Sequence, residues 1–301
     1  MDVKGSTEDR NPLSVGIDGK PVEGVLRIIN REDQRVPGVV ATQIPVIARA
    51  VEAVAEAIRG GGRVFFAGAG TSGRLGVIEA AELPPTFGVS PDLFRAIIAG
   101  GPEAVFGSVE AAEDDEAAGA EALGSGGLSG GDILVALSAS GRTPFTVGAL
   151  REAKRRGART VSVTSSQGAP INELADVPIV VETGPEIVAG STRMKAGTAQ
   201  KLVLNMLTTA AMIRLGMVHD GYMIGVQPTS RKLRRRAVGV VGGVAGVSPE
   251  EAEEALDGAG GDLKAAVLMA KTGVNLDEAR RVLGEAGGIL RLVLEKMEEI
   301  E

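Results

Sequence analysis

Apolar positions in residues 24–59 recur near helical spacing at Val25, Ile28, Ile29, Ile47, Val51, Val54 and Ile58, which predicts mostly helical sequence. Pro37-Gly38 is expected to break this stretch into two helices, and Gly60-Gly61-Gly62 to stop it. The pattern then changes. Short apolar runs at 64–67, 95–99, 133–137, 160–164 and 178–181 read as strands, each followed by helical sequence or a loop. Their nearly continuous apolar character, without strict alternation, fits parallel strands covered by helices on both faces. The expected fold class is α/β: a doubly wound sheet of about five parallel strands flanked by helices.

A long helical run follows at 195–215, and the sheet domain is expected to close near Gly225. Arg231-Lys232-Leu233-Arg234-Arg235-Arg236 marks a change in composition. This basic run reads as a solvated helix face or a domain junction, with nucleic-acid contact as the alternative. Ser248-Pro249-Glu250-Glu251 has the makings of a helix start, with Ser as N-cap, Pro at the first helical position and acidic residues in the first turn. Further helical units are read at 262–271 and 275–285. The expected division is an N-terminal helical segment (1–59) packing on the sheet domain, the sheet domain itself (60–227) and a small all-helical, UBA-like domain (228–301).

Composition narrows the function classes. The 301 residues are 44% apolar and 24% charged, as in a folded globular chain with ample core material. Lys plus Arg number 32 against 39 Asp plus Glu, a net charge of −7. That balance argues against a nucleic-acid partner held by bulk charge, and aromatics at 2% leave few platforms for base stacking. Without Cys there is no disulfide, thiolate nucleophile or thiolate metal site. The single histidine, His219, rules out a site needing two imidazoles and reads as a loop or surface residue. Residues 1–14 lack an apolar signal core, and the weakly apolar stretch 237–247 is short and Gly-rich, so a cytoplasmic location without a membrane partner is expected.

The candidate chemistry lies in two loops. Gly68-Ala69-Gly70-Thr71-Ser72-Gly73 follows a strand and opens a helix, where backbone N–H groups and the helix dipole favour an anion. Gly68, Gly70 and Gly73 satisfy G-x-G-x-x-G, but the next strand ends Ile97-Ile98-Ala99-Gly100-Gly101 without the carboxylate that a dinucleotide ribose needs. The second loop, Ser138-Ala139-Ser140-Gly141-Arg142-Thr143, brings three hydroxyls to the same end of a parallel sheet. Ordinary helix capping would also place Ser and Thr there. Neither loop carries the Lys of a Walker A sequence.

These residues carry a resemblance. Gly-Thr-Ser after one strand and Ser-x-Ser-Gly-x-Thr after another resemble the sugar isomerase (SIS) fold, whose members bind phosphosugars at these loops. Residues 68–76, Glu82-x-Pro84-Pro85-Thr86, Ala111-Ala112-Glu113-Asp114 and the stretch 186–201 resemble the N-acetylmuramic acid 6-phosphate etherase family more closely. The resemblance runs from about Thr7 to the C-terminal helices. It implies a carbon–oxygen lyase that converts N-acetylmuramate 6-phosphate to N-acetylglucosamine 6-phosphate and D-lactate in cell-wall recycling, as a homodimer, with neither metal nor cofactor. The alternatives are a non-catalytic SIS phosphosugar sensor and a sugar-phosphate isomerase. The family's two functional glutamates fall on Glu82 and Glu113. By analogy Thr71, Ser72, Gly73, Ser138, Ser140 and Thr143 hold the 6-phosphate, and Ser191 and Lys195 contact other parts of the substrate.

Taken alone, Glu82 reads as a surface helix end and Glu113 as part of a solvated acidic face, Glu113-Asp114-Asp115-Glu116. A helix that must stop at Pro84-Pro85 would put Glu82 in its last turn, where the dipole and partial burial raise its proton affinity and suit it as the acid. Glu113 would then be the base or assist it. Lys195 and Lys201 fit either snorkelling surface residues or neutralisers of substrate charge. The chain departs from the usual family pattern at Glu79 (Asp), Leu83 (Cys), Gly221 and Gly225 (within Gly-Asn-Leu-Met-Val-Asp) and Ser230 (Asn), departures that bear on substrate and rate before fold.

Overall fold

The computed structural model describes residues 7–228 and 230–298. Five parallel strands, β1 (Val64–Gly68), β2 (Phe94–Ile98), β3 (Ile133–Leu137), β4 (Arg159–Thr164) and β5 (Val177–Val180), form one sheet in the order β2-β1-β3-β4-β5. They are the five expected runs, with ends displaced by no more than one residue. Every residue of β1 and β3 is buried, which explains why these runs are apolar without alternation.

Helices α1 (Val22–Asp33), α2 (Val36–Ala41) and α3 (Ile44–Arg59) precede the sheet. The break expected at Pro37-Gly38 falls elsewhere. Pro37 sits in the first turn of α2, where its missing N–H would have had no helical acceptor, and turns at 34–35 and 42–43 separate the three helices. α3 packs on the sheet against β1, β3 and β5.

The crossovers contain α4 (Gly70–Phe87), α5 (Glu103–Phe106), α6 (Glu116–Ser125), α7 (Pro144–Arg155) and α8 (Pro170–Leu174), and α9 (Lys195–Arg214) follows β5. The expectation that α4 ends at Pro84 is not met, since both prolines lie inside the helix. Each removes one ladder hydrogen bond, to the carbonyls of Ala80 and Ala81, without stopping the turn. Thr86 Oγ1 donates to the Glu82 carbonyl at 2.6 Å, and the Gly88 N–H closes the helix on Pro84 at 2.9 Å.

Contacts divide the described chain into two compact units. One contains residues 7–81 with Pro91–Thr208, so the N-terminal helices belong with the sheet. The other contains Glu82–Ser90 and the chain from Thr209 onward. The second unit holds an antiparallel hairpin, β6 (Val218–His219) and β7 (Tyr222–Met223). Its helices are α10 (Arg231–Ala245), α11 (Pro249–Gly258), α12 (Leu263–Thr272), α13 (Leu276–Glu285) and α14 (Leu290–Glu298). Val241, Leu256, Val267 and Leu268 are fully buried in its core. Ser248 caps α11 as expected, and with Glu251 it completes a capping box. His219, read as a loop or surface residue, lies in the hairpin and is half-buried. The basic run forms the first turns of α10, with Arg234 paired to Glu253 and Asp257 and its basic neighbours exposed. Among the described residues no single helix is long and apolar enough to cross a membrane.

Candidate active site

β1 ends at Gly68, and α4 folds back on it at once. A Cβ on Gly68 would lie 2.8 Å from the Leu137 carbonyl oxygen and 2.9 Å from Gly73 N, and one on Gly73 would lie 2.6 Å from the Gly68 carbonyl oxygen. Only glycine at both positions permits so close an approach of strand end and helix start. The first N–H groups of α4, at Gly70, Thr71 and Ser72, have no intrahelical acceptor. Ser72 is buried and Thr71 half-buried.

The second loop leaves β3 at the same level. Gly68 pairs with Leu137 in the β1–β3 register, so Ala69 and Ser138 depart from neighbouring strands side by side. Strand order reverses between β1 and β3, the switch point at which open α/β sheets form a ligand crevice. Within the loop, Ser138 Oγ lies 2.9 Å from Thr143 Oγ1 and 3.5 Å from Ser140 Oγ, and it accepts the Gly141 N–H at 3.0 Å. Ser140 Oγ accepts the Arg142 N–H at 3.2 Å. Gly141 has φ +64° and a Cβ there would lie 2.4 Å from Ala169 Cβ, so the turn that gathers these hydroxyls requires glycine. Capping does not account for the hydroxyls. Thr143 stands at the N-cap of α7, yet its side chain makes no cap hydrogen bond.

The start of α9 reaches the first loop, since a Cβ on Gly197 would lie 3.4 Å from Thr71 Cγ2. Ser191 is half-buried in the turn before α9. Lys195 was expected to snorkel or to meet substrate charge, but it is 1% exposed and its ammonium donates to Glu32 at 2.6 Å. Hydrogen bonds from Lys195, Arg35 and Asn11 overcome the upward push of burial and hold the Glu32 carboxyl down at about 2. Nothing in the sequence pattern marked Glu32, because its partner lies 163 positions away.

Glu113 is exposed on a 3-10 turn (Glu110–Asp114), not on the regular helical face expected, because Asp115 leaves helical geometry to cap α6. That turn packs against α7, the helix that Thr143 begins. Glu82 is exposed on α4 and belongs to the second compact unit. The helix continues to Phe87, so Glu82 is not in its last turn, and the dipole argument that singled it out as the acid lapses. Among the described residues no three His, Cys, Asp or Glu side chains cluster as a metal site requires.

Several departures from the family pattern have local explanations. Glu79 is buried and uses both oxygens, accepting Lys201 Nζ at 2.7 Å and Thr208 Oγ1 at 2.6 Å, so its extra methylene is absorbed by a two-point contact. Leu83 is buried, an environment that also suits a cysteine. Ser230 Oγ caps α10 by accepting the Leu233 N–H at 3.2 Å, a role asparagine fills equally well. Gly225 lies where a Cβ would be 2.3 Å from the Phe87 carbonyl oxygen.

Residues 30–165 match the SIS domain family model. The chain is 47% identical over 291 residues to N-acetylmuramic acid 6-phosphate etherase of Cutibacterium acnes, covering 97% of this chain and 96% of that one. It is 48% identical to the protein of the same name from Salinibacter ruber, covering 96% and 94%. The solved phosphoheptose isomerase of Neisseria gonorrhoeae matches 63% of this chain and 98% of its own at TM-score 0.50 and 16% identity. That of Francisella tularensis matches 64% and 98% at TM-score 0.50 and 18% identity, and both likenesses concern the fold. The identities to the etherases extend over both compact units, and the chain belongs to the N-acetylmuramic acid 6-phosphate etherase family.

Proposed function

We propose that this protein is the lyase its family name describes, releasing D-lactate from N-acetylmuramate 6-phosphate to leave N-acetylglucosamine 6-phosphate. The observation that carries this reading is the pair of hydroxyl-bearing loops set side by side by the Gly68–Leu137 register, in a chain alike to etherases along nearly its whole length. Thr71, Ser72, Gly73, Ser138, Ser140 and Thr143 receive the 6-phosphate with hydroxyl and N–H donors. The open-chain sugar exposes a C2 proton acidified by the C1 aldehyde, with the lactyl oxygen on C3. Removal of that proton and protonation of the lactyl oxygen expel D-lactate and leave a C2–C3 double bond. Water adds back at C3, and the proton returns to C2. Glu82 and Glu113 provide the two proton transfers.

The enzyme works as a homodimer in the cytoplasm. Both points are what the resemblance to the etherase family implies. Incubating the purified protein with N-acetylmuramate 6-phosphate and measuring D-lactate tests the reading. Stoichiometric release supports it, whereas tight binding without release would point to a phosphosugar sensor.

A further inference from the structure

Among the charged side chains buried in the sheet-bearing unit are Glu32 of α1, Lys195 at the start of α9, and Glu186. Glu32 Oε2 accepts Lys195 Nζ at 2.6 Å and Asn11 Nδ2 at 2.9 Å, and Oε1 accepts Arg35 at 2.9 Å. Asn11 Nδ2 also donates to the Pro185 carbonyl at 2.8 Å, and the Gly190 N–H donates to the Thr7 carbonyl at 3.1 Å. The N-terminal segment and α1 thus hold both ends of the stretch 185–195.

Stability alone is a weak reason for such a pair, because desolvating two charges offsets most of their attraction, whereas fixing one arrangement is a well-attested use of buried ions. The arrangement fixed here is the one that carries Gly197 against Thr71. We propose that the Glu32–Lys195 pair, tied to the chain by Asn11, is a positioning element for the first phosphate loop: it sets where α9 begins and so holds Thr71 in place. None of the three residues touches substrate. The proposal rests on the phosphosugar reading above, and its test is read in binding as well as in turnover.

The double variant Glu32→Gln/Lys195→Met removes both charges, keeps an acceptor for Asn11 and conserves volume, so it is expected to melt within about 3 °C of the parent. Its KM for N-acetylmuramate 6-phosphate and its Kd for N-acetylglucosamine 6-phosphate are expected to rise about tenfold while kcat stays within about twofold. A folded double variant with unchanged KM and Kd overturns the proposal. Should the double variant fail to fold, Asn11→Ala leaves both charges in place and cuts the tie to Pro185, and the same Kd is expected to rise about threefold. An unchanged Kd there overturns the proposal equally. A parent protein that binds N-acetylglucosamine 6-phosphate but releases no D-lactate sinks the lyase reading and leaves this comparison of Kd values intact.

Discussion

Thr143 occupies the N-cap of α7, yet its Oγ1 faces Ser138 Oγ at 2.9 Å and not the helix it begins. Removing this hydroxyl therefore takes nothing from helix capping. For Thr143→Val the expected outcome is a Tm within about 2 °C of the parent together with a Kd for N-acetylglucosamine 6-phosphate raised about tenfold, measured by calorimetry. A large loss of Tm with unchanged Kd would return Thr143 to an ordinary structural role.

The two glutamates are judged by rate, not by affinity. Glu82→Gln and Glu113→Gln are each expected to slow D-lactate release by about 100-fold or more, with the product Kd within about threefold of the parent. Near-normal release from either variant removes that residue from the proton transfers.

At the opposite end of the sheet, Asp132 accepts the Arg63 N–H at 2.7 Å, its guanidinium at 2.8 Å, and the Ser129 N–H and hydroxyl. Burial pushes this carboxyl up, but these donors hold it below its ordinary value. Asp132→Ala removes the shared acceptor of these donors and is expected to cost about 3 kcal/mol in urea unfolding, without change in the KM of the remaining folded enzyme. A raised KM would mean that strain at the amino ends of β1 and β3 reaches the loops.

The strands were legible because each is a short apolar run closed by Gly, Pro or Ser, and burial on both faces erases alternation. The loop residues were legible for the same reason, since they stand immediately after those runs. The hairpin at Val218–Met223 was missed although Asp220-Gly221, at φ +46° and +78°, is a turn dipeptide of the type that joins two strands. Pro84 was over-read as a terminator, because a proline weakens a helix locally while tertiary packing decides where it stops. The Glu32–Lys195 contact had no local signal of any kind. A buried pair joined across 163 positions leaves no periodicity, so nothing in the sequence near Lys195 pointed to Glu32.

Glu32 also makes a pH prediction. Its carboxyl lies at about 2 in the folded protein against an ordinary value of 4.5, so the unfolded chain binds the proton more readily. The resulting stabilisation is present in full above about pH 5 and fades as pH falls toward 2. In urea titrations Glu32→Gln is expected to be less stable than the parent at pH 7, with the gap narrowing below pH 4.5. A gap that stays constant over this range would mean the carboxylate charge contributes nothing.

Gly141 combines φ +64° with a Cβ position 2.4 Å from Ala169 Cβ. Gly141→Ala is expected to destabilise the protein by about 2–4 kcal/mol and to weaken binding of N-acetylglucosamine 6-phosphate, because Ser138 and Ser140 hydrogen-bond to this turn. Thermal melts with and without the sugar phosphate separate the two effects.

Glu186 offers both carboxylate oxygens to the N–H groups of Lys195 and Ala196. That helix start is consequently sealed by a resident anion, and an arriving dianion would meet like charge there. The chain thus fills the start of α9 with its own carboxyl group, and under the proposed phosphosugar reading the ligand is left to the starts of α4 and α7.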